Sequence, residues 1–464
     1  MGELRIYPEK TYQTFERFGV SGAWWAQVVG GWDETDPASG KPKRERVAEL
    51  LFNRETGIGV RCYRYNLGGG SAQSGRGNIP MQCRRAESFD TGDNEYDWNR
   101  DVNAVWMLRQ AVKHGADEVI LFVNSPPERY TRNGKAHLDQ PLRTNLPRKN
   151  YEKYVNYCLT CTGHFLAEGL PVKYISPVNE PVWVWTGGQE GCHYRPGQEK
   201  NLMRLFAAEM EKRPTLKDVK LSGAENGDIR WFNKTYTRIM LGDKKLRGRV
   251  DAVDLHSYFL IPNIPIVKHF IKDRIPYLRR FRRYLDRHFP GAQVKTSEWT
   301  HMQGGRDYGM DSALEQTKIM LEDLTVLNVS SWQLWIAVSN VDYCDGLIYE
   351  NDGPRTYELT KRYYAFGNFT KFIEPGSVRC GIAAGDGVQA AAFTKDGKTA
   401  AVLMNAGDTA KELRLPGTAQ KVFITDETRD LAGSAAGETL TLPPKSVVTV
   451  LLDAQKGAAD AAAV

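Results

Sequence analysis

From about residue 15 to residue 345 the chain repeats one pattern: a short apolar run, then a longer stretch with helical periodicity. The strand-like runs are 15–22, 60–67, 118–124, 172–179, 220–225, 250–258, 293–299 and 330–338. Most are nearly continuous in apolar residues, as parallel strands covered on both faces are. The helical stretches are 99–114, 149–168, 197–213, 265–289 and 310–328. In 149–168, Tyr151, Tyr154, Val155, Cys158, Leu159, Thr162, Phe165 and Leu166 recur at spacings of three and four, and Gly169 supplies a stop. Eight such strand–helix units predict an α/β fold, a (β/α)8 TIM barrel, over 15–345. A doubly wound sheet is the alternative, but it usually carries fewer strands and a glycine-rich turn after the first.

Past residue 350 the texture changes. SVRCGIAA, VQAAAFTK, TAAVLMNA, KELRLP, KVFITD, ETLTLP and SVVTVLLD are short β-like runs, evenly spaced and separated by Gly, Asp and Pro. They predict an antiparallel β-sandwich over 346–453, with residues 1–14 adding an edge strand. The tail, 454–464, has little to bury and is expected to be flexible.

Composition excludes more than it selects. With 62 basic and 56 acidic residues the net charge is +6, and the clusters 42–46 and 279–287 read as solvated helix faces, so no nucleic-acid partner is expected. No apolar run reaches 18 residues, so no membrane span is expected. The start, MGELRIYPEK, has no apolar leader, which predicts a cytoplasmic protein, or a secreted one if a leader has been removed. Seven cysteines lack framework spacing, and Cys158 and Cys161 fall inside a helical pattern, as two buried thiols one turn apart. No His/Cys/Asp spacing calls for a metal or other cofactor. The glycine-rich GGGSAQSGRGN (68–78) lacks the Gly-Lys-Ser/Thr ending of a phosphate loop.

In a barrel of this type the site lies at the C-terminal strand ends. Those ends carry Arg64 and Asn66; Asn124; Asn179 and Glu180; Glu225; His256 and Tyr258; Glu298 and Trp299; and Trp332 and Trp335. The strand bodies below them read as apolar. Two carboxylates across one mouth suit glycoside hydrolysis: one protonates the leaving oxygen, the other attacks the anomeric carbon or activates water. Strands four and seven lie nearly opposite each other in such a barrel, which would set Glu180 against Glu298.

RYNLGGG, NSPPERY, SPVNEP, LHSY, TSEW and WQLW, in that order, resemble glycoside hydrolase family 30, of the retaining clan with an Asn-Glu acid/base and a Glu nucleophile. The stretch 363–379 resembles that family's junction into its sandwich domain, whose first strand comes from the N-terminus. The resemblance implies Glu180 as acid/base and Glu298 as nucleophile, with Asn179 on the sugar 2-hydroxyl. It implies that Arg64 and Tyr258 hold Glu298 ionised, that His256 and Asn124 line the pocket, and that Trp335 lies under the sugar. Glu225 either contacts sugar hydroxyls or closes a salt bridge; Trp185 either stacks on a sugar or packs its loop. Trp332, three residues before Trp335, is expected to face the helices. The partner implied is an oligosaccharide or polysaccharide. GAWWAQ (22–27) with RYNLGGGS resembles the β-1,6-galactanase branch. A β-glucosidase, β-xylosidase or β-fucosidase of the family, or an inactive carbohydrate-binding relative, is the alternative.

Overall fold

The structure, a computed structural model, describes residues 2–92, 94–259, 273–385, 387–417 and 419–453. The expected tail at 454–464 and the first part of the expected helix 265–289 lie outside the described residues.

A parallel sheet of nine strands forms a curled half-barrel. Its order is Ala224–Asn226, Ala252–His256, Gln293–Glu298, Ser331–Leu334, Arg17–Ser21, Cys62–Asn66, Glu118–Phe122, Val172–Ser176 and Lys220–Leu221. Every expected strand is present. The run 220–225 is split in two, and its halves form the opposite ends of the sheet: Lys220–Leu221 pairs with Val172–Ser176, and Ala224–Asn226 pairs with Ala252–His256. Ser222 and Gly223 lie between them, and Ala224 and Glu225 take φ of +86° and +38°. Helices Val102–His114, Tyr151–Ala167, Pro196–Glu211, Asn233–Leu241, Ile275–His288 and Met310–Glu322 connect the strands. Helix Tyr151–Ala167 buries the predicted stripe apart from the half-buried Leu166, and buries both Cys158 and Cys161.

Two expectations need correction. The stretch 310–328 is not one α-helix: after Glu322 the chain makes a π-helical turn, Asp323–Leu327. That turn directs the fully buried Asp323 at the strands, where it accepts hydrogen bonds from Ser257 Oγ (2.8 Å), Thr296 Oγ1 (3.1 Å), Arg274 Nη2 (2.8 Å) and Trp332 Nε1 (3.0 Å). Trp332 thus faces the helices, as expected. Second, the strand bodies are not apolar. Buried Lys295 places Nζ 2.8 Å from Glu16 and 2.5 Å from the hydroxyl of Tyr174, and Arg17 pairs with buried Glu118 at 3.3 Å. Lys295 and Tyr174 lie on strands that are not neighbours, so the curled sheet brings opposite charges and hydroxyls together across its concave face. Burial without such partners would be costly.

The C-terminal β-sandwich domain has a seven-stranded sheet in the order Arg5–Thr14, Val378–Ala383, Gln389–Lys395, Lys398–Asn405, Ser446–Asp453, Ala419–Thr425 and Ala432–Ala435. A three-stranded sheet, Gly2–Glu3, Lys411–Arg414 and Thr439–Leu442, faces it, and Leu4, Leu403, Leu413, Leu442 and Val448 share the core between them. Ala432–Ala435 was not expected as a strand; its residues are exposed and small, and leave no apolar alternation to read. Helix Lys361–Thr370 bridges the two parts. Phe366 and Phe369 pack edge-on to Phe18 at 5.9 Å, while Asn368 bonds Thr425 and Thr449 of the sandwich.

No helix among the described residues is long and apolar enough to cross a membrane.

Candidate active site

Glu180 and Glu298 converge on one imidazole. His256 Nδ1 lies 2.9 Å from Glu180 Oε1 and 3.3 Å from Glu298 Oε1. One oxygen of each carboxylate lies within 4.8 Å of the other. The opposite ring nitrogen, Nε2, lies 3.0 Å from Glu225. Glu298 also accepts hydrogen bonds from Arg64 Nη1 (2.7 Å) and the Tyr258 hydroxyl (3.0 Å). Arg64 is almost fully buried, packs its guanidinium over Phe122 at 3.9 Å, and donates from Nη2 to Asn179 Oδ1 at 3.2 Å.

The local backbone explains the placement. Ala252–His256 and Gln293–Glu298 pair in register until a bulge between Leu255 and His256, which sets His256 opposite Glu298. Such bulges re-aim side chains. Glu180 sits just past Val172–Ser176 with φ of +41°, held by its N–H on Glu225 O (3.0 Å). A left-handed conformation is unfavourable for a non-glycine residue, so the surrounding hydrogen bonds must enforce it.

The electrostatics separate the two glutamates. Burial pushes the Glu298 carboxyl up, but the charges and hydrogen bonds of His256 and Arg64 outweigh it and hold the group below the usual carboxylate range. Burial also pushes Glu180 up; His256 opposes this, the Glu298 charge adds to it, and the net shift is upward. Burial works against a charged His256, yet Glu298, Glu180 and Glu225 together raise it well above its ordinary value. Glu225 is itself held low despite burial, by Arg64, His256 and Ser222. Opposite shifts, Glu180 up and Glu298 down, are the division that acid and nucleophile need.

The remaining expected residues fall at graded distance. Glu225 closes a salt bridge: it accepts from Ser176 (2.7 Å), Ser222 (2.6 Å) and Ser297 (2.6 Å) and faces Arg64 at 3.6 Å. Buried Asn124 donates to Asn66 Oδ1 at 3.3 Å, and its own Oδ1 has no partner. Trp335 sits nearly buried, edge-on to Trp24 at 5.2 Å and to Phe122 at 6.0 Å, and donates its backbone N–H to Trp299 O. Trp299 packs between His301 and Trp332. Trp185 packs its loop: its Nε1 donates to Glu180 O at 3.3 Å, and a Cβ on Gly191 would lie 2.3 Å from its ring.

Two positions escaped the sequence reading. A Cβ at Gly227 would lie 2.7 Å from Glu180 Oε1, so this glycine makes room for the carboxylate; nothing in ENGD signals it. Trp24, with φ of +70°, carries Arg84 over its ring at 4.2 Å; only its place in GAWWAQ pointed to it. The glycine-rich stretch 68–78 cradles a carboxyl group of the chain itself: buried Glu190 accepts from Gly69 N, Ser71 N and Ser71 Oγ.

The ligating atoms of Glu180, His256 and Glu298 are close enough to share a cation; here His256 Nδ1 lies instead within hydrogen-bond reach of both carboxylates. At Glu45, Glu49 and His114, a second such cluster, Lys41 and Arg46 already pair with Glu49.

Three comparisons bear on this arrangement. The model of O-glycosyl hydrolase family 30 matches residues 2–271 and 294–349, and the family 30 β-sandwich model matches 376–450. An endo-β-1,6-galactanase of Hypocrea rufa is 24% identical over 409 residues, covering 80% of this chain and 75% of the relative. A conserved exported protein from Bacteroides fragilis superposes with a TM-score of 0.86 at 21% identity, covering 97% of this chain and 100% of that one. An endo-β-1,6-glucanase superposes with a TM-score of 0.72 at 16% identity, covering 98% and 95%. With well over half of its residues inside the hydrolase model and its strand ends carrying the paired glutamates, the chain belongs to glycoside hydrolase family 30 and is a glycosidase.

Proposed function

We propose that this glycosidase cleaves β-linked sugars by double displacement with retention, Glu298 acting as nucleophile and Glu180 as acid/base. The observation that carries the reading is the shared imidazole: two carboxylates on one Nδ1, oxygens within 4.8 Å, shifted in opposite directions. Inverting enzymes separate the pair by roughly 6.5–9.5 Å to seat a water, and retaining ones by about 5–5.5 Å. In the first step Glu298 bonds to the anomeric carbon while Glu180 gives its proton to the departing oxygen. In the second, Glu180 takes a proton from water, which displaces Glu298. Arg64 and Tyr258 keep Glu298 anionic, and Asn179, fixed by Arg64, is placed for the 2-hydroxyl. Asn124, with its free Oδ1, and Trp335 line the sugar pocket. Glu225 acts through His256 and Arg64.

The substrate we propose is β-1,6-galactan or its oligosaccharides, on the strength of the galactanase relative. The scaffold we propose is a closed (β/α)8 barrel over 15–345 carrying a side domain of 1–14 and 346–453; the split fifth strand, whose halves end the sheet two residues apart, supports closure.

The test is hydrolysis of β-1,6-galactobiose through β-1,6-galactotetraose, followed by NMR of the first-formed anomer. Glu298→Gln and Glu180→Gln run beside wild type. A β-anomer from wild type and silence from Glu298→Gln are expected. An α-anomer first, or full activity in Glu298→Gln, would overturn the assignment.

A further inference from the structure

The turn after Ala224–Asn226 is stiff and yet ends in solvent-facing aromatic side chains. Asn226 Nδ2 donates to the carbonyls of Asp228 (2.8 Å) and Trp231 (2.6 Å) and to Asn233 Oδ1 (2.8 Å). Ile229 N–H bonds Tyr258 O at 3.1 Å, and Arg230 forks onto Asp228 at 2.9 and 2.7 Å. The rigid turn then presents Trp231 at 56% exposure and Phe232 at 54%. Folding gains little from ordering a large apolar ring and leaving it in water.

This turn begins at Gly227, against the carboxylate of Glu180. The turn on the other flank carries Trp183, 49% exposed, whose backbone N–H bonds Glu180 O at 3.0 Å. Both turns that confine Glu180 therefore hold an exposed indole. Acid chemistry says what passes there. Glu180 must give its proton to the departing oxygen, while Glu298 attacks the anomeric carbon from the far side. The departing sugar consequently lies beside Glu180.

We propose that Trp231 and Trp183 form a platform for the departing part of the substrate, stacking on pyranose rings of a β-linked hexose oligosaccharide. An amphipathic ring with a wet edge suits a sugar, whose faces are apolar and whose rim is hydroxylated. The inference rests on Glu180 being the acid, and adds that the enzyme favours chains with sugars on both sides of the cleaved bond.

The test compares kcat/KM on β-1,6-galactotetraose with kcat/KM on β-galactosyl fluoride, which has no departing sugar. Wild type, Trp231→Ala, Trp183→Ala and Trp231→Phe are assayed. The tetraose-to-fluoride ratio is expected to fall about five- to tenfold in each alanine variant, with most of it regained in Trp231→Phe. An unchanged ratio in both alanine variants overturns the platform and leaves these indoles to another role, such as contact with a protein. If wild type ignores both galactosyl probes but cleaves β-1,6-glucotetraose and glucosyl fluoride, the galactan reading fails, and the same ratio on that pair decides the platform.

Discussion

Arg64 Nη1 stands 2.7 Å from Glu298 Oε2, and both side chains are buried. The pair is also tied to Asn179 and Glu225, so its loss would leave two carboxylates short of a cation. Arg64→Met is expected to lower stability by about 3–5 kcal/mol, the usual cost of stranding a buried charge. It should also raise the Glu298 pKa and slow the first displacement. Thermal unfolding beside pre-steady-state kinetics checks this; a variant with unchanged Tm would show the pair to be dispensable.

Under the proposed assignment, activity requires Glu298 ionised and Glu180 protonated. Glu298 is held below the ordinary glutamate range and Glu180 above it, so the pH profile of kcat/KM should be a broad bell. Its acid limb should lie below about 4.3 and its alkaline limb above that value, both belonging to the coupled pair. Replacing His256 by Asn removes the cation that lowers both groups, so both limbs should move to higher pH. A single limb, or movement toward acid, contradicts the assignment.

Gly227→Ala would put a methyl group 2.7 Å from Glu180 Oε1. That is too close, and the carboxylate must shift away from the departing oxygen. Loss of general-acid help costs about 10²–10⁴-fold. The loss should be large for sugar leaving groups and small for 2,4-dinitrophenolate, which departs without a proton. Equal losses on both would mean that the glycine serves the fold and not the acid.

Asp101, buried ahead of helix Val102–His114, takes a hydrogen bond from the Tyr65 hydroxyl, and burial pushes its carboxyl up to about 8. The unfolded chain loses that proton near pH 4, so stability from this group is full at low pH and declines as pH rises toward 8. The slope is at most about 1.4 kcal/mol per pH unit. Asp101→Asn should flatten it, with a Tm advantage over wild type that grows between pH 5 and 8. An advantage that is constant with pH would mean that Asp101 is ionised in the fold.

The eight strand runs were legible because parallel strands advertise burial as apolar runs, and the ends of those runs named Glu180, Glu298, Arg64, His256 and Tyr258 before any geometry. The polar concave face was not legible. Nothing in the sequence shows that curvature brings Lys295 within reach of Tyr174 and under the influence of Glu118. The split at Ser222–Gly223 and the π-turn at Asp323 were equally hidden, since each depends on hydrogen bonds to residues far away in sequence. Gly227 shows the same limit: a glycine needed for what it does not occupy leaves no trace in pattern or propensity.

The strand Arg5–Thr14 pairs with Val378–Ala383, which lies beyond the whole half-barrel in sequence. A nascent chain therefore carries an unmatched β-edge throughout the making of the hydrolase part, for about 20–75 s at ordinary elongation rates. Orphan edges invite pairing between neighbouring chains. This one is guarded: Pro8 lacks a donor, and exposed Glu9 and Lys10 set charge at its middle. The arrangement makes a segment synthesised before the whole half-barrel wait for its partner until the half-barrel is complete. Premature termination anywhere before Val378 would leave that edge open, a ready handle for quality control.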